Sequence, residues 1–412
     1  MAKASIVSIG NEILSGQTVD TNAAYLSTKL LAIGIPVVSS YTIGDEIDSI
    51  VRTLNLAGND ADLILVTGGL GPTDDDLTRQ AFAQLLGTDL QLDNKLLDKI
   101  QEFFVSRNRQ MPEINRIQAY TPAGAKALPN SLGTAPGIWA ELHGKSFIAM
   151  PGVPFEMKQM FEESVLPKMA GFSFGNVVVV KKINCFGTGE SNIAELLTDL
   201  CRRDRNPLIN STVDCGVITL HIVAAAEDKN KAQQMAEKDE HLLRSKLGKL
   251  VYGTDDQTLA EVVGRMLAQQ KKTISVAESC TGGCLAAMLT DVPGASEYFT
   301  HGWVTYSNSA KIDELGVPDE LIQKHGSVSS QVAEAMARGA GKRAATHFAI
   351  AITGIAGPAG GTEQKPVGLV YICVDSDNHC ETKRFIFSHN RASIRHRAAQ
   401  TALNMLRLKL QI

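Results

Sequence analysis

The sequence predicts an α/β multidomain chain, with two α/β domains flanking a small α+β module. Three observations predict it. Short apolar runs alternate with amphipathic stretches through residues 4–169, the pattern of a doubly wound parallel sheet. A strand-helix-strand-strand-helix order over about 80 residues follows, with no chemical motif. Alternation then resumes and reaches 408. The boundaries fall at 1–170, 171–253 and 254–412.

In the first domain, residues 4–9 form a buried strand and Gly10-Asn11-Glu12 opens a loop. Asp20-Thr21-Asn22 is an N-cap signal for a helix over 23–32. A strand at 35–42, a helix at 46–57 and a strand at 63–67 come next. The last runs into Gly68-Gly69-Leu70-Gly71-Pro72-Thr73-Asp74-Asp75-Asp76. Gly68, Gly69 and Gly71 offer backbone amides to phosphate oxygens, and Thr73 adds a hydroxyl. Asp75 and Asp76 repel phosphate, so they make sense with a divalent cation between them and a diphosphate. The plainer reading is an acidic helix start that satisfies the helix dipole. The loop is neither a Walker A loop nor a dinucleotide fingerprint. A helix over 93–107, a Gly/Pro-rich turn over 130–138 and a strand at 146–150 follow. Pro154 then opens a helix to 169 that carries Glu156, either a ligand or a helix-start acid.

The stretch 171–175 (GFSFG) reads as a linker. Strands at 177–184, 208–212, 217–225 and 250–252 and helices at 189–200 and 229–247 make up the middle module. Its charge run mixes both signs, as a solvated helix face does.

The last domain begins with a helix at 257–269. Residues 274–278 form a strand that ends at Ser279-Cys280-Thr281-Gly282-Gly283, followed by a small-residue helix from 284. Such a turn exposes a nucleophile beside a helix N-terminus, where free amides favour an oxyanion or a phosphate. A plain capped turn is the alternative. The strand at 302–306 leads to Lys311. No histidine stands in an obvious triad position, so Lys311, with a pKa lowered by burial, is the candidate base, and Tyr306 relays a proton or orients it. An exposed helix-start lysine is the alternative. A helix at 328–344, a strand at 348–352 and the glycine-dense loop Thr353 to Thr362 come next. A strand pair (367–374 and 381–387) and a helix over 391–408 close the chain. Arg391 and Arg395 share one face of that helix, where they meet a phosphate or solvent.

Composition bounds the function. The chain has 412 residues, 44% hydrophobic and 20% charged, with net charge −4, which gives no sign of a nucleic-acid-binding surface. Its seven cysteines include no CxxC pair, which sets aside zinc ribbons and thioredoxin chemistry and fits reduced thiols. The short apolar run at the start predicts no signal peptide, and no stretch reaches membrane-span length, so a cytoplasmic location is expected.

The blocks IGNEILSGQTVDTNAAYLS, GGLGPTDDDLT, MPGVPFEM, FGTGESNIAELL, VAESCTGG and TGIAGPAGG, in this order, resemble the bacterial competence/damage-inducible protein CinA family over essentially the whole chain. The resemblance implies a molybdopterin-binding-like fold for the first domain, with metal-dependent ADP-ribose pyrophosphatase activity; the alternative is a nucleotide- or pterin-binding interaction protein of competence or the DNA-damage response, with one or both sites inactive. For the last domain it implies an amidohydrolase that converts nicotinamide mononucleotide to nicotinate mononucleotide and ammonia. Carried over by position, Ser279 is the nucleophile and Lys311 and Tyr306 activate it. Cys280, Thr281, Gly282, Gly283, Thr353, Gly354, Gly357 and Arg395 hold substrate. In the first domain Asn11, Glu12, Gly68, Gly69, Gly71 and Thr73 bind ligand, and Asp75, Asp76 and Glu156 bind a divalent metal of unknown identity. The amidase needs no cofactor. The expected partners are the two nucleotides and a second copy of the chain, with no membrane and no direct nucleic-acid signal.

Overall fold

The computed structural model describes residues 2–169, 177–376 and 379–411; the expected linker at 171–175 lies outside them. The chain divides into two units, Met1–Val179 with Ala225–Gln234, and Val180–Ala224 with Met235–Ile412.

The first unit contains β1 (Ala4–Ile9), β2 (Val37–Ile43), β3 (Leu63–Thr67), β4 (Leu90–Leu92), β5 (Tyr120–Pro122), β6 (Lys126–Leu128), β7 (Gly137–Leu142) and β8 (Lys145–Met150). Its main sheet has the order β2-β1-β3-β8-β7-β6, and β4 pairs with β5 apart from it. β2, β1, β3 and β8 are parallel. β1 and β3 are buried along their whole length, as strands covered on both faces must be. Helices Thr21–Ala32 and Pro154–Met160 cover one face through Leu26, Leu30 and Met157. Helices Ile47–Asp60 and Thr78–Leu86 cover the other through Ile50, Leu54 and Phe82. Asp20 caps the first of these helices by accepting from the Ala23 amide.

Two expectations change here. The sheet is not parallel throughout: β7 runs antiparallel to β8, and β6 to β7. Only His143 and Gly144 separate β7 from β8, both with positive φ, and a two-residue turn of that kind makes a hairpin. The expected loop after β1 is instead a short helix, Asn11–Leu14.

The second unit carries two sheets. One is formed by β9 (Val177–Phe186), β10 (Leu208–Asp214), β11 (Val217–Ala226) and β12 (Val251–Thr254), in the order β10-β11-β9-β12. The other is formed by β13 (Ile274–Glu278), β14 (Phe299–Val304), β15 (Phe348–Gly354), β16 (Leu369–Ser376) and β17 (His379–Ile386), in the order β14-β13-β15-β16-β17. β14, β13 and β15 are parallel, and β16 and β17 are antiparallel. Helices Leu259–Gln269 and Arg391–Leu410 cover one face of this sheet; Ser330–Ala344 covers the other.

In both α/β sheets the parallel strands end together. β1, β3 and β8 deliver Gly10, Gly68 and Pro151 to one edge. In the second unit Glu278 is level with Val304 and Ile352, so Ser279, Thr305 and Thr353 stand side by side. Ligands bind at such carboxyl ends. No helix among the described residues is long and apolar enough to cross a membrane.

Candidate active sites

Lys311 lies in the first turn of helix Asn308–Leu315, which Ser307 caps. It is 1% exposed, so the exposed-lysine alternative is overturned. Its Nζ donates to the carbonyls of Thr305 at 2.8 Å and Tyr306 at 3.2 Å, and it lies 3.0 Å from Ser279 Oγ. Burial pushes its pKa down to about 8. The protonated amine donates to Ser279 Oγ as well as to the carbonyls; once it loses that proton, two N–H groups suffice for the carbonyls and the lone pair faces the serine hydroxyl. Tyr306 enters the cluster through its carbonyl. Its phenol is exposed and accepts from Arg391 at 3.1 Å.

The turn after Ser279 is tied in a way its residue types do not reveal. Glu278, 1% exposed, accepts from the amides of Gly283 at 3.0 Å, Leu285 at 3.1 Å and Ala286 at 2.8 Å. Gly282 donates to Ser279 O and Cys284 to Thr281 O. The free amides expected at this turn are therefore fewer than its length suggests: its two glycine amides are already engaged. Among the described residues, the amides of Cys280 and Thr281 donate to no carbonyl or carboxylate of another residue, which leaves them available to an anion. The Cys280 thiol is buried, which pushes its pKa up to about 12 and keeps it protonated beside the serine.

A cavity of about 460 Å³ adjoins this cluster. Of the predicted residues, Ser279, Cys280, Tyr306, Lys311, Thr353, Gly354 and Gly357 line it; Thr281, Gly282, Gly283 and Arg395 do not. Arg395 instead braces the turn, donating to Thr281 O from Nε at 3.0 Å and Nη2 at 2.7 Å. Its neighbour Arg391 does line the cavity, and also donates to Gly357 O at 2.8 Å. The Thr353 hydroxyl is engaged with Ser327 O at 2.8 Å. Lys365, which the motif reading passed over, lines the cavity and donates to His325 O and Val328 O. No carboxylate lines this cavity among the described residues.

In the first unit a cavity of about 450 Å³ opens at the ends of β1, β3 and β8. Glu12, Gly68, Gly69, Gly71, Asp75, Asp76 and Glu156 line it. Asn11 and Thr73 do not line it; they brace residues that do, the Asn11 amide donating to Asp45 and the Thr73 amide to Asp76. Gly68 adopts φ +103°, and a Cβ there would stand 2.1 Å from Ile9 O, so no other residue fits. The loop carbonyls are drawn away from the cavity. Thr78 donates to Gly68 O, and buried Arg79 to Leu70 O and Gly71 O. Burial lowers the Arg79 pKa to about 10, with Asp76 opposing. Among the described residues the Gly69 and Leu70 amides donate to no other group and remain for an anion.

The acids behave differently from a helix start: helix Thr78–Leu86 has no acid in its first turn. Asp76 accepts from the Gly71 and Thr73 amides, and the single Thr73 hydroxyl proton is shared between Asp75 and Asp76 at 2.5 Å. Glu156 accepts from Asn130 at 2.7 Å. Asp45, which sequence reading missed, has its pKa raised by burial first and then by the negative charges of Asp75, Glu12 and Asp76. No three His, Cys, Asp or Glu side chains among the described residues gather as a metal-holding group. The donors fit a cation completed by phosphate oxygens and water, not one caged by protein alone.

The comparisons can be set beside this geometry. The probable molybdopterin binding domain family matches residues 5–171, the damage-inducible protein CinA KH domain family residues 180–253, and the CinA C-terminal domain family residues 256–410. The competence-damage inducible protein of Caldicellulosiruptor bescii is 43% identical over 407 residues, covering 99% of each chain. That of Moorella thermoacetica is 41% identical, covering 98% of each chain. A solved competence/damage-inducible protein from Agrobacterium tumefaciens is 40% identical over 38% of this chain and 98% of its own, with TM-score 0.36.

Proposed function

The chain belongs to the competence/damage-inducible CinA family, and on that premise we propose that its last domain is an amidohydrolase of nicotinamide mononucleotide. The observation that carries this reading is the buried Lys311 amine 3.0 Å from Ser279 Oγ. Neutral Lys311 takes the serine proton, and the Ser279 oxygen forms a bond to the carboxamide carbon. The amides of Cys280 and Thr281 receive the oxyanion. When the C–N bond breaks, Lys311 returns the proton and ammonia leaves. Water then gives a proton to Lys311 and bonds to the acyl carbon; as the bond from that carbon to Ser279 Oγ breaks, Lys311 returns the proton to the serine and nicotinate mononucleotide leaves. Lys365 and Arg391 give the cavity the positive charge that a nucleotide phosphate requires. The chemistry calls on no cofactor.

For the first domain we propose hydrolysis of the ADP-ribose diphosphate. The Gly69 and Leu70 amides would receive phosphate oxygens. Asp75, exposed at the rim, would hold a divalent cation arriving with the ligand; such an ion neutralises charge on the diphosphate.

The test is ammonia release from nicotinamide mononucleotide by the full chain, beside Ser279→Ala. Release lost in the variant supports the amidase. No release from folded wild type sinks it. Production of AMP and ribose 5-phosphate from ADP-ribose, with and without added divalent metal, tests the first domain in the same way.

A further inference from the structure

We propose that Asn22 is a specificity-determining residue of the first domain's cavity, its carboxamide oxygen accepting a hydrogen bond from a sugar hydroxyl of the ligand. This rests on the nucleotide-sugar reading of that cavity and names the group that reads the sugar.

Asn22 is the second residue of helix Thr21–Ala32 and is 6% exposed. Its Nδ2 donates to Gly152 O at 2.8 Å. That bond fixes which way the amide faces, because the flipped amide would set oxygen against oxygen. Oδ1 is then buried with no partner, and the residue lines the cavity. An acceptor left in that state has given up its bond to water and gained none in return. The position is also held in place. Gly152 packs so close to Gly68 that an added Cβ would come within 3.3 Å of the Gly68 Cα. Asn22 is thereby tied to both loops that frame the phosphate-binding amides.

The rest of the cavity says what kind of donor it takes. Glu12, Asp20, Asp45, Asp75, Asp76 and Glu156 line it, but no lysine, arginine, histidine or aromatic ring does among the described residues. A cavity stocked with acceptors suits a ligand rich in donors. Four of those carboxylates are already engaged, Asp20 with the Ala23 amide, Asp45 with Asn11, Asp76 with the loop and Glu156 with Asn130. An amino-substituted heterocycle also carries donors, but it would find no ring here to stack on. A pentose brings several hydroxyls and needs no such platform.

The experiment is calorimetric titration of the full chain, in magnesium buffer, with ADP-ribose made uncleavable by a methylene bridge in place of the diphosphate's bridging oxygen, and with analogues of it each lacking one ribose hydroxyl. Wild type is set beside Asn22→Leu, with Asn22→Ala in its place should the leucine variant not fold. One deoxy analogue should bind wild type about tenfold more weakly than the uncleavable parent, the equivalent of one hydrogen bond. The variant should bind the two alike. This ratio cancels any general loosening from loss of the Gly152 bond, which weakens both ligands equally. Discrimination that persists in the variant, or is absent in a wild type that binds the uncleavable parent, overturns the role of Asn22 and leaves the nucleotide-sugar reading standing. A folded wild type that binds neither ligand removes that reading, and the role of Asn22 with it.

Discussion

Lys311 donates to the Thr305 carbonyl at 2.8 Å, and the Thr305 amide is itself held by Glu278 O at 2.9 Å. The candidate base is thus anchored to the residue that precedes the candidate nucleophile. Two segments 32 residues apart in the chain keep a 3.0 Å contact because one backbone residue binds both.

Activity should follow the protonation of Lys311. With its pKa near 8, only about a tenth of the lysine is neutral at pH 7, so kcat/KM for ammonia release should climb as pH rises through 8 and then level. Lys311→Arg should lose that limb and most of the activity. A rate profile flat across this range in wild type would remove Lys311 as the base.

The same shift is a stability statement. Between about 8 and the ordinary lysine value of 10.5 the folded chain binds fewer protons than the unfolded chain, so Lys311 makes stability rise with pH in that window. Wild type should gain about 3 kcal/mol relative to Lys311→Met across it. The check is a set of denaturation midpoints for both proteins at several pH values.

Ser279→Ala should lower amidase turnover by about a thousandfold or more with the melting curve unchanged. Cys280→Ala should keep most of the turnover, since its thiol stays protonated. The reverse pattern would make the cysteine the nucleophile.

The two arginines should separate in steady-state kinetics. Arg391 lines the cavity, so Arg391→Met should raise KM about tenfold or more for a phosphorylated substrate. Arg395 holds the Thr281 carbonyl, so Arg395→Met should lower kcat by a similar factor with KM little changed. Equal effects on KM would put both guanidiniums on the substrate.

In the first domain, Gly68→Ala would force a Cβ to 2.1 Å from a backbone oxygen at a positive φ. Loss of about 3 kcal/mol is expected, read as a lower unfolding midpoint of that domain, with ligand binding there abolished. An unchanged midpoint would mean that the loop has room to move.

How far the sequence reaches can be judged from particular residues. It predicted the parallel strands that end at Gly10, Gly68 and Ser279, and it placed Lys311 level with Ser279, because strand period, caps and glycine turns are written within a few neighbouring residues. It passed over β7, whose Gly137 start sits inside a stretch that reads as a turn. It did not identify the KH assignment of the middle module, where Gly187 and Gly189 stand two apart and do not show the four-residue glycine pattern of such domains.

Family, the parallel strands and helices of the two α/β domains and the candidate nucleophile turn were thus legible in the sequence itself. Only the tertiary structure decided which polar groups are already engaged. Glu278 takes the helix amides, Arg395 faces a carbonyl while Arg391 faces the cavity, and Asp76 folds back on its own loop. Asn22 meets Gly152 across 130 residues and Arg395 meets Thr281 across 114. Partnerships of that length depend on how finished elements pack, and no local pattern in the chain encodes them.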